Sequence, residues 1–182
     1  MTVIALAGAA LLTSVAGAVT SCNDAIFQTV GRGLAQELMD EIAASKFPIG
    51  TTPVASTTVR AFFTTIDDYS GFTERPPRTK GGSILGTEQS SSAISSTVVT
   101  TTISSSSSRP TALQAPTDFM NRFTRSVLVE QVQPSTSGSW TVSTQNTLYR
   151  RVTVTVSYTV AANQTRQVAK VSRLFAVVPP SP

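Results

Sequence analysis

Residues 1–47 read MTVIALAGAALLTSVAGAVTSCNDAIFQTVGRGLAQELMDEIAASKF, and the fold turns on whether this stretch is one continuous helix. Residues 1–23 carry no charge. As a helix they span about 34 Å at 1.5 Å per residue, enough for the ~30 Å hydrocarbon core of a bilayer. No turn or linker follows Cys22. Instead Ile26, Val30, Leu34, Leu38 and Ile42 recur at helical spacing, flanked by Phe27, Ala35 and Met39. Gln28, Arg32, Gln36, Glu37, Asp40 and Glu41 take the other face. Residues 34–45 are strong helix formers nearly throughout. Gly31 and Gly33 are weak points, each costing up to about 1 kcal/mol relative to alanine. Phe47-Pro48 ends the run, because the residue before a proline is pushed out of the α region. The spacing therefore predicts one helix over residues 2–46, apolar over 1–23 and amphipathic over 24–47.

A cleavable N-terminus competes with this reading. Ala16-Gly17-Ala18 has the A-x-A form of a signal-peptidase site, and Val19-Thr20-Ser21-Cys22 has the form of a lipoprotein box. Against both stand the lack of any Lys or Arg before Arg32 and the uninterrupted amphipathic stripe after Cys22. Apart from lipidation, Cys22 reads as a small apolar residue at a helix interface. Asp24 and Arg32, just past the apolar run, read either as ordinary interfacial charges or as a register pair between packed helices.

Downstream, residues 48–87 read as a connecting region, with a short strand over 59–66 and loop over 67–86, where Gly71, Pro76, Pro77, Gly81 and Gly82 break regular structure. Residues 88–117 read as a flexible insertion. Fourteen of the twenty-one residues from 88 to 108 are Ser or Thr, too little apolar surface to offset ordering entropy. A local strand over 98–103 or a glycosylated stalk are further readings of that tract. Residues 118–182 read as antiparallel sheet. Over 122–133, Phe123, Arg125, Val127, Val129 and Gln131 share one parity. Over 148–160, Val152, Val154, Val156 and Tyr158 alternate with Arg151, Thr153, Thr155 and Ser157. A third strand is expected over 167–178, with turns at 135–138 and 162–165. A lone small sheet is marginal. The stripe Ile26, Val30, Leu34, Leu38 and Ile42 is its natural lid, so the expected architecture is α+β, a long helix packed on a small antiparallel sheet.

Composition narrows the chemistry. The chain has 182 residues, no histidine and one cysteine, which removes Ser-His-Asp and Cys-His catalysis, internal disulfides and thiolate zinc cages. No Walker A loop, G-x-G-x-x-G or G-x-S-x-G is present. The expectation is a non-enzymatic protein with no catalytic residue and no cofactor. Residues 1–108 sum to −2 and residues 109–182 to +6. That asymmetry reads as arginines on the solvent face of a sheet, or as a half facing an anionic partner. Arginines without interleaved aromatics do not make a nucleic-acid platform. Asp67, Asp68 and Glu74 form the acidic loop cluster, a calcium candidate by its oxygen ligands or else a solvated turn. Trp140 reads as a strand edge packed partly on the sheet or as an exposed partner anchor. Asn163-Gln164-Thr165 matches a glycosylation sequon.

An apolar-then-amphipathic helix followed by a small β domain resembles the type IV pilins and pseudopilins, most of all the minor pseudopilins of type II secretion. The residues that carry the resemblance are the helical phrase Leu34-Ala35-Gln36-Glu37-Leu38-Met39-Asp40-Glu41-Ile42, the connecting phrase Thr65-Ile66-Asp67-Asp68-Tyr69-Ser70-Gly71-Phe72-Thr73-Glu74-Arg75-Pro76-Pro77, and the basic, β-branched C-terminal strands. The basic leader, glycine cleavage site and Phe-Thr-Leu opening of that family are not in this sequence, and Met1 is expected to fall inside the apolar helix. The resemblance implies a structural subunit of a type II secretion pseudopilus or type IV pilus. It would sit in the bacterial inner membrane with a periplasmic or cell-surface domain. Its partners would be other pilin-like subunits, the inner-membrane machinery and membrane lipid, with no nucleic acid. Val3, Ile4, Leu6, Leu11, Leu12 and Val15 would form the assembly surface of the helix, with Ala5, Gly8, Ala9 and Gly17 permitting close approach. The other reading is an exported lipoprotein or secreted β-rich binding module with a cleavable N-terminus.

Overall fold

The structure, a computed structural model, describes residues 2–48, 53, 59–86, 118–161 and 164–177, with backbone alone for residues 2–11 and 161. The Ser/Thr tract, its candidate strand over 98–103 and Asn163 of the sequon lie outside the described residues. One α-helix, α1 (Thr2–Ala43), is followed by strands β1 (Thr73–Glu74), β2 (Phe123–Pro134), β3 (Trp140–Val142), β4 (Tyr149–Ala161) and β5 (Gln164–Ala176). The strands form one sheet in the order β1-β2-β4-β5, with β3 pairing the far end of β2. All these pairings are antiparallel. The protein is α+β, one long N-terminal helix packed on a small antiparallel sheet.

The helix and the three long strands lie where apolar periodicity places them. β2 buries Phe123, Val127 and Val129, and β4 buries Val152, Val154, Val156 and Tyr158. Opposite them α1 buries Leu34, Ala35, Leu38, Met39 and Ile42. The stripe is not straight, however. Residues four apart advance by about 400°, so each step winds the row about 40° around the helix. Ile42, Leu38 and Leu34 face the sheet, Val30 is half-buried, and Ile26 is 53% exposed. Ile26 therefore does not belong to the packing face expected of it. Phe27 takes its place and stacks on Tyr158, with ring centroids 4.0 Å apart.

The predicted strand over 59–66 is replaced by two 3-10 turns, Arg60–Phe62 and Ile66–Tyr69. The Asp68 carboxylate accepts the Thr64 and Thr65 amides at 2.8 Å each, donors that a ladder would otherwise use. Only a parallel bridge between Lys46 and Thr65 remains of sheet pairing there. The arginine reading also needs correction. Arg125 and Arg150 lie on the core parity of their strands and are wholly buried. They do not line a solvent face, because the core supplies carboxylates to meet them.

The two helix glycines differ. β5 bulges at Val168, which is skipped between the pairs Val156↔Ala169 and Ser157↔Gln167. The bulge presses Val168 onto Gly31, where an added Cβ would stand 2.6 Å from a Val168 methyl. A Cβ on Gly33 would meet nothing within 4 Å. Gly31 is thus a close-approach residue and Gly33 an exposed one. Gly31→Ala is expected to cost about 1–3 kcal/mol by overpacking. Gly33→Ala is expected to stabilise by up to about 1 kcal/mol through helix propensity. Urea denaturation followed by Trp140 fluorescence checks both.

Candidate functional site: the exposed helix and its charged clasp

The helix divides into two parts by what it touches. From Asp24 onward it is tied to the sheet at both ends of their contact. Arg166 Nη1 on β5 donates to both Asp24 oxygens at 2.8 Å, and Arg173 Nη1 donates to Asp40 Oδ1 at 3.1 Å. The spacings match: sixteen helical residues rise about 24 Å, and seven strand residues extend about 23 Å. α1 and β5 therefore run side by side in the same direction. Both pairs are exposed, so each is worth about 0–1 kcal/mol and serves register more than stability.

Beside them lies a largely buried clasp, in which the Glu37 side chain stays 40% exposed. Glu37 and Glu41, one helical turn apart, point toward the connecting region. Arg125 is bonded to Glu37 and to Glu74 of β1, and Arg60 to Glu41 and to Glu74. Glu74 thus bridges two guanidinium groups. The Arg78 carbonyl accepts from both arginines at 2.6 Å, and Arg125 also donates to the Leu34 carbonyl at 3.2 Å. The Tyr69 hydroxyl donates to Glu41 at 2.7 Å. A second buried pair joins Arg150 Nε to Asp67 Oδ1 at 2.9 Å, with the Arg150 guanidinium 5.4 Å from the centre of the Phe47 ring.

These contacts account for the acidic loop cluster. Asp67 is bound to Arg150, Asp68 accepts the Thr64 and Thr65 amides, and Glu74 joins Arg60 and Arg125. The three calcium candidates face three different partners. Among the described residues no group of three or more His, Cys, Asp or Glu is placed to hold a metal.

Among the described residues the N-terminal half of α1 shows no ion pair to the sheet. Leu12 is 73% exposed, and Val15 and Val19 are each 56% exposed. Cys22 is exposed, not packed at an interface within this chain. The side chains of Val3, Ile4, Leu6 and Leu11 lie outside the described residues. Among the described residues no helix is long and apolar enough to cross a membrane. Asp24, one half of the expected register pair, is taken by Arg166, and Arg32 is exposed. Trp140 opens β3 and packs against Tyr149 with ring centroids 4.9 Å apart.

Sequence reasoning missed the clasp. Its one legible signal is Arg125, which interrupts the apolar parity Phe123, Val127, Val129. A charge on a core parity requires a partner, but nothing in the spacing identifies Glu37 and Glu74 as that partner. No protein-family model matches the chain, and comparison with curated proteins and with solved structures finds no match.

Two predictions follow from the charge geometry. Arg150→Met, which strands the Asp67 carboxylate, is expected to cost about 3–5 kcal/mol, and adding Asp67→Leu to recover part of that loss. A urea-denaturation double-mutant cycle measures it. For Glu41, burial pushes the carboxyl upward, but the hydrogen bonds from Arg60 and Tyr69 outweigh it and hold it below its ordinary 4.5. A lowered carboxyl contributes stability above its unfolded value and loses it as pH falls through the folded value. Stability is therefore expected to fall in acid below about pH 4.5, and Glu41→Gln to be less stable at pH 7 with a shallower acid decline.

Proposed function

We propose that this chain is a non-enzymatic structural subunit, a minor pilin or pseudopilin, that assembles through the apolar half of its N-terminal helix. The assembly would be a type II secretion pseudopilus or a type IV pilus. One observation carries the reading. A single unbroken helix is clamped to its sheet from Asp24 to Ile42, yet exposes Leu12, Val15 and Val19 beyond it. A soluble domain gains nothing from a rod of exposed aliphatic side chains. In a bilayer, or packed among like helices, the same rod is stable. The C-terminal half of the helix keeps the sheet domain fixed relative to the rod, as a subunit passing from membrane to fibre requires. In this reading the sheet domain faces the periplasm or the cell surface. The partners are other pilin-like subunits and the inner-membrane machinery, and no nucleic acid takes part.

A second reading, an exported lipoprotein or secreted binding module, draws support from one feature. Exposed Cys22 stands two residues before Asp24, the first residue ion-paired to the sheet. A chain cut there would keep the whole clasp.

The test is a charge placed on the rod. An Asp at the centre of a membrane helix costs about 2.5–3.5 kcal/mol of insertion. Val15→Asp is expected to leave the folded sheet domain intact but to shift the chain out of the membrane fraction and out of sheared filaments. Leu128→Asp, on an exposed sheet position, is expected to change neither. Val15→Asp that still assembles like the parent chain would contradict the proposal.

A further inference from the structure

A groove of about 410 Å³ opens where the charge-free part of α1 meets the sheet. Its lining includes Asn23, Asp24, Phe27, Arg122, Tyr158 and Arg166. Phe27, stacked on Tyr158, makes an aromatic wall, and Val160 and Val168 add aliphatic surface. Two arginines stand at this apolar lining. Arg166 is held by Asp24. Arg122 donates one hydrogen bond to the Tyr158 hydroxyl at 2.9 Å and lies 6.0 Å from the centre of that ring. Among the described residues Arg122 has no carboxylate partner, and a guanidinium carries five donors. The groove thus has one excess positive charge, an unspent guanidinium fork and apolar walls.

Its position adds a second argument, which rests on the reading that residues 1–23 lie in the bilayer. Asp24 is the first charged residue of this sequence, so the groove stands where the hydrocarbon ends and headgroups begin. We propose that it is a binding site for the headgroup of an anionic phospholipid. The Arg122 fork would take two oxygens of the phosphodiester. Thr20, Asn23 and Gln28 also line the groove and would meet headgroup hydroxyls, and the walls Phe27, Val160 and Val168 would cover the glycerol carbons. A choline headgroup brings a cation toward Arg122 and Arg166 and is disfavoured. Free inorganic phosphate has no use for apolar walls.

The test uses the full chain in a non-ionic detergent. It is titrated with phosphatidylglycerol or phosphatidylcholine, and retained lipid is counted by native mass spectrometry. Phosphatidylglycerol is expected to be retained about fivefold more tightly, the usual gain for one arginine at an anionic surface. Arg122→Gln is expected to abolish that preference with an unchanged circular dichroism spectrum. Arg173→Gln, which removes one charge elsewhere on β5, is expected to keep it. Equal losses in both variants would reduce the effect to general surface charge and overturn the proposal. Displacement of the lipid by inorganic phosphate would make this a phosphate site and overturn it too. Sedimentation with vesicles of phosphatidylcholine alone separates this claim from the one beneath it. A chain that binds those vesicles but shows no headgroup preference overturns the groove alone. A chain that stays off them counts against the membrane reading and, with it, this inference.

Discussion

The guanidinium of Arg125 sits between helix and sheet with no solvent contact, held by Glu37 from the helix and Glu74 from β1. A cation so placed is tolerable only while its carboxylates stay in reach, because the desolvation cost does not relax when a partner leaves. That requirement links three parts of the chain far apart in sequence. Glu74 must stay at the edge of β2, which fixes the connecting region. Glu37 must stay at the border of the helix–sheet contact, within reach of Arg125, which fixes the rotation of α1. Arg60 then closes the circuit through Glu41 and Glu74. Hydrophobic burial supplies most of the attraction between helix and sheet, and the close approach of Gly31 to Val168 fixes part of the fit. The clasp sets one rotation and one height.

With the rotation fixed, the division of the helix follows. Its C-terminal half has a sheet to pack on, and the sheet ends near Tyr158 and Arg166. Beyond that point helix propensity and backbone hydrogen bonding continue the rod, and its described side chains Leu12, Val15 and Val19 are exposed. In the proposed reading a bilayer or another helix covers them. The rod and the domain have separate sources of stability, so a substitution on the rod can leave the domain folded. The Asp24–Arg166 pair lies at the boundary, on the surface where the proposed headgroup site opens.

The sequence made some of this readable and hid the rest. Strands with regular alternation, such as Val152, Val154, Val156 and Tyr158, declare both their conformation and their inner face, because period two couples the two. The helix is equally plain from residue 24 onward. Its facing is less so. A row of residues four apart looks straight in the sequence but winds in space, so Ile26 reads as core and stands in solvent while Phe27 does its work. The turn at Ile66 rests on a local cap, Asp68 on the Thr64 and Thr65 amides, that the apolar run over 59–66 masked. Arg60 of the other turn is held by the distant Glu41 and Glu74. Distance also hides the Gly31 contact, which depends on a bulge in β5, and the role of Asp67, whose partner Arg150 is 83 residues away. Local pattern carries elements; long-range charge pairing carries their arrangement.

The proposed function requires that residues 2–21 belong to the working protein as the first half of one continuous helix. The N-terminus of the native chain, extracted from its source cells in detergent and read by intact mass and terminal peptide sequencing, tests this most directly. The account predicts a mature protein that retains those residues. A chain beginning immediately after Ala18, or with an acylated Cys22, would contradict it and leave an exported domain whose helix starts at the clasp.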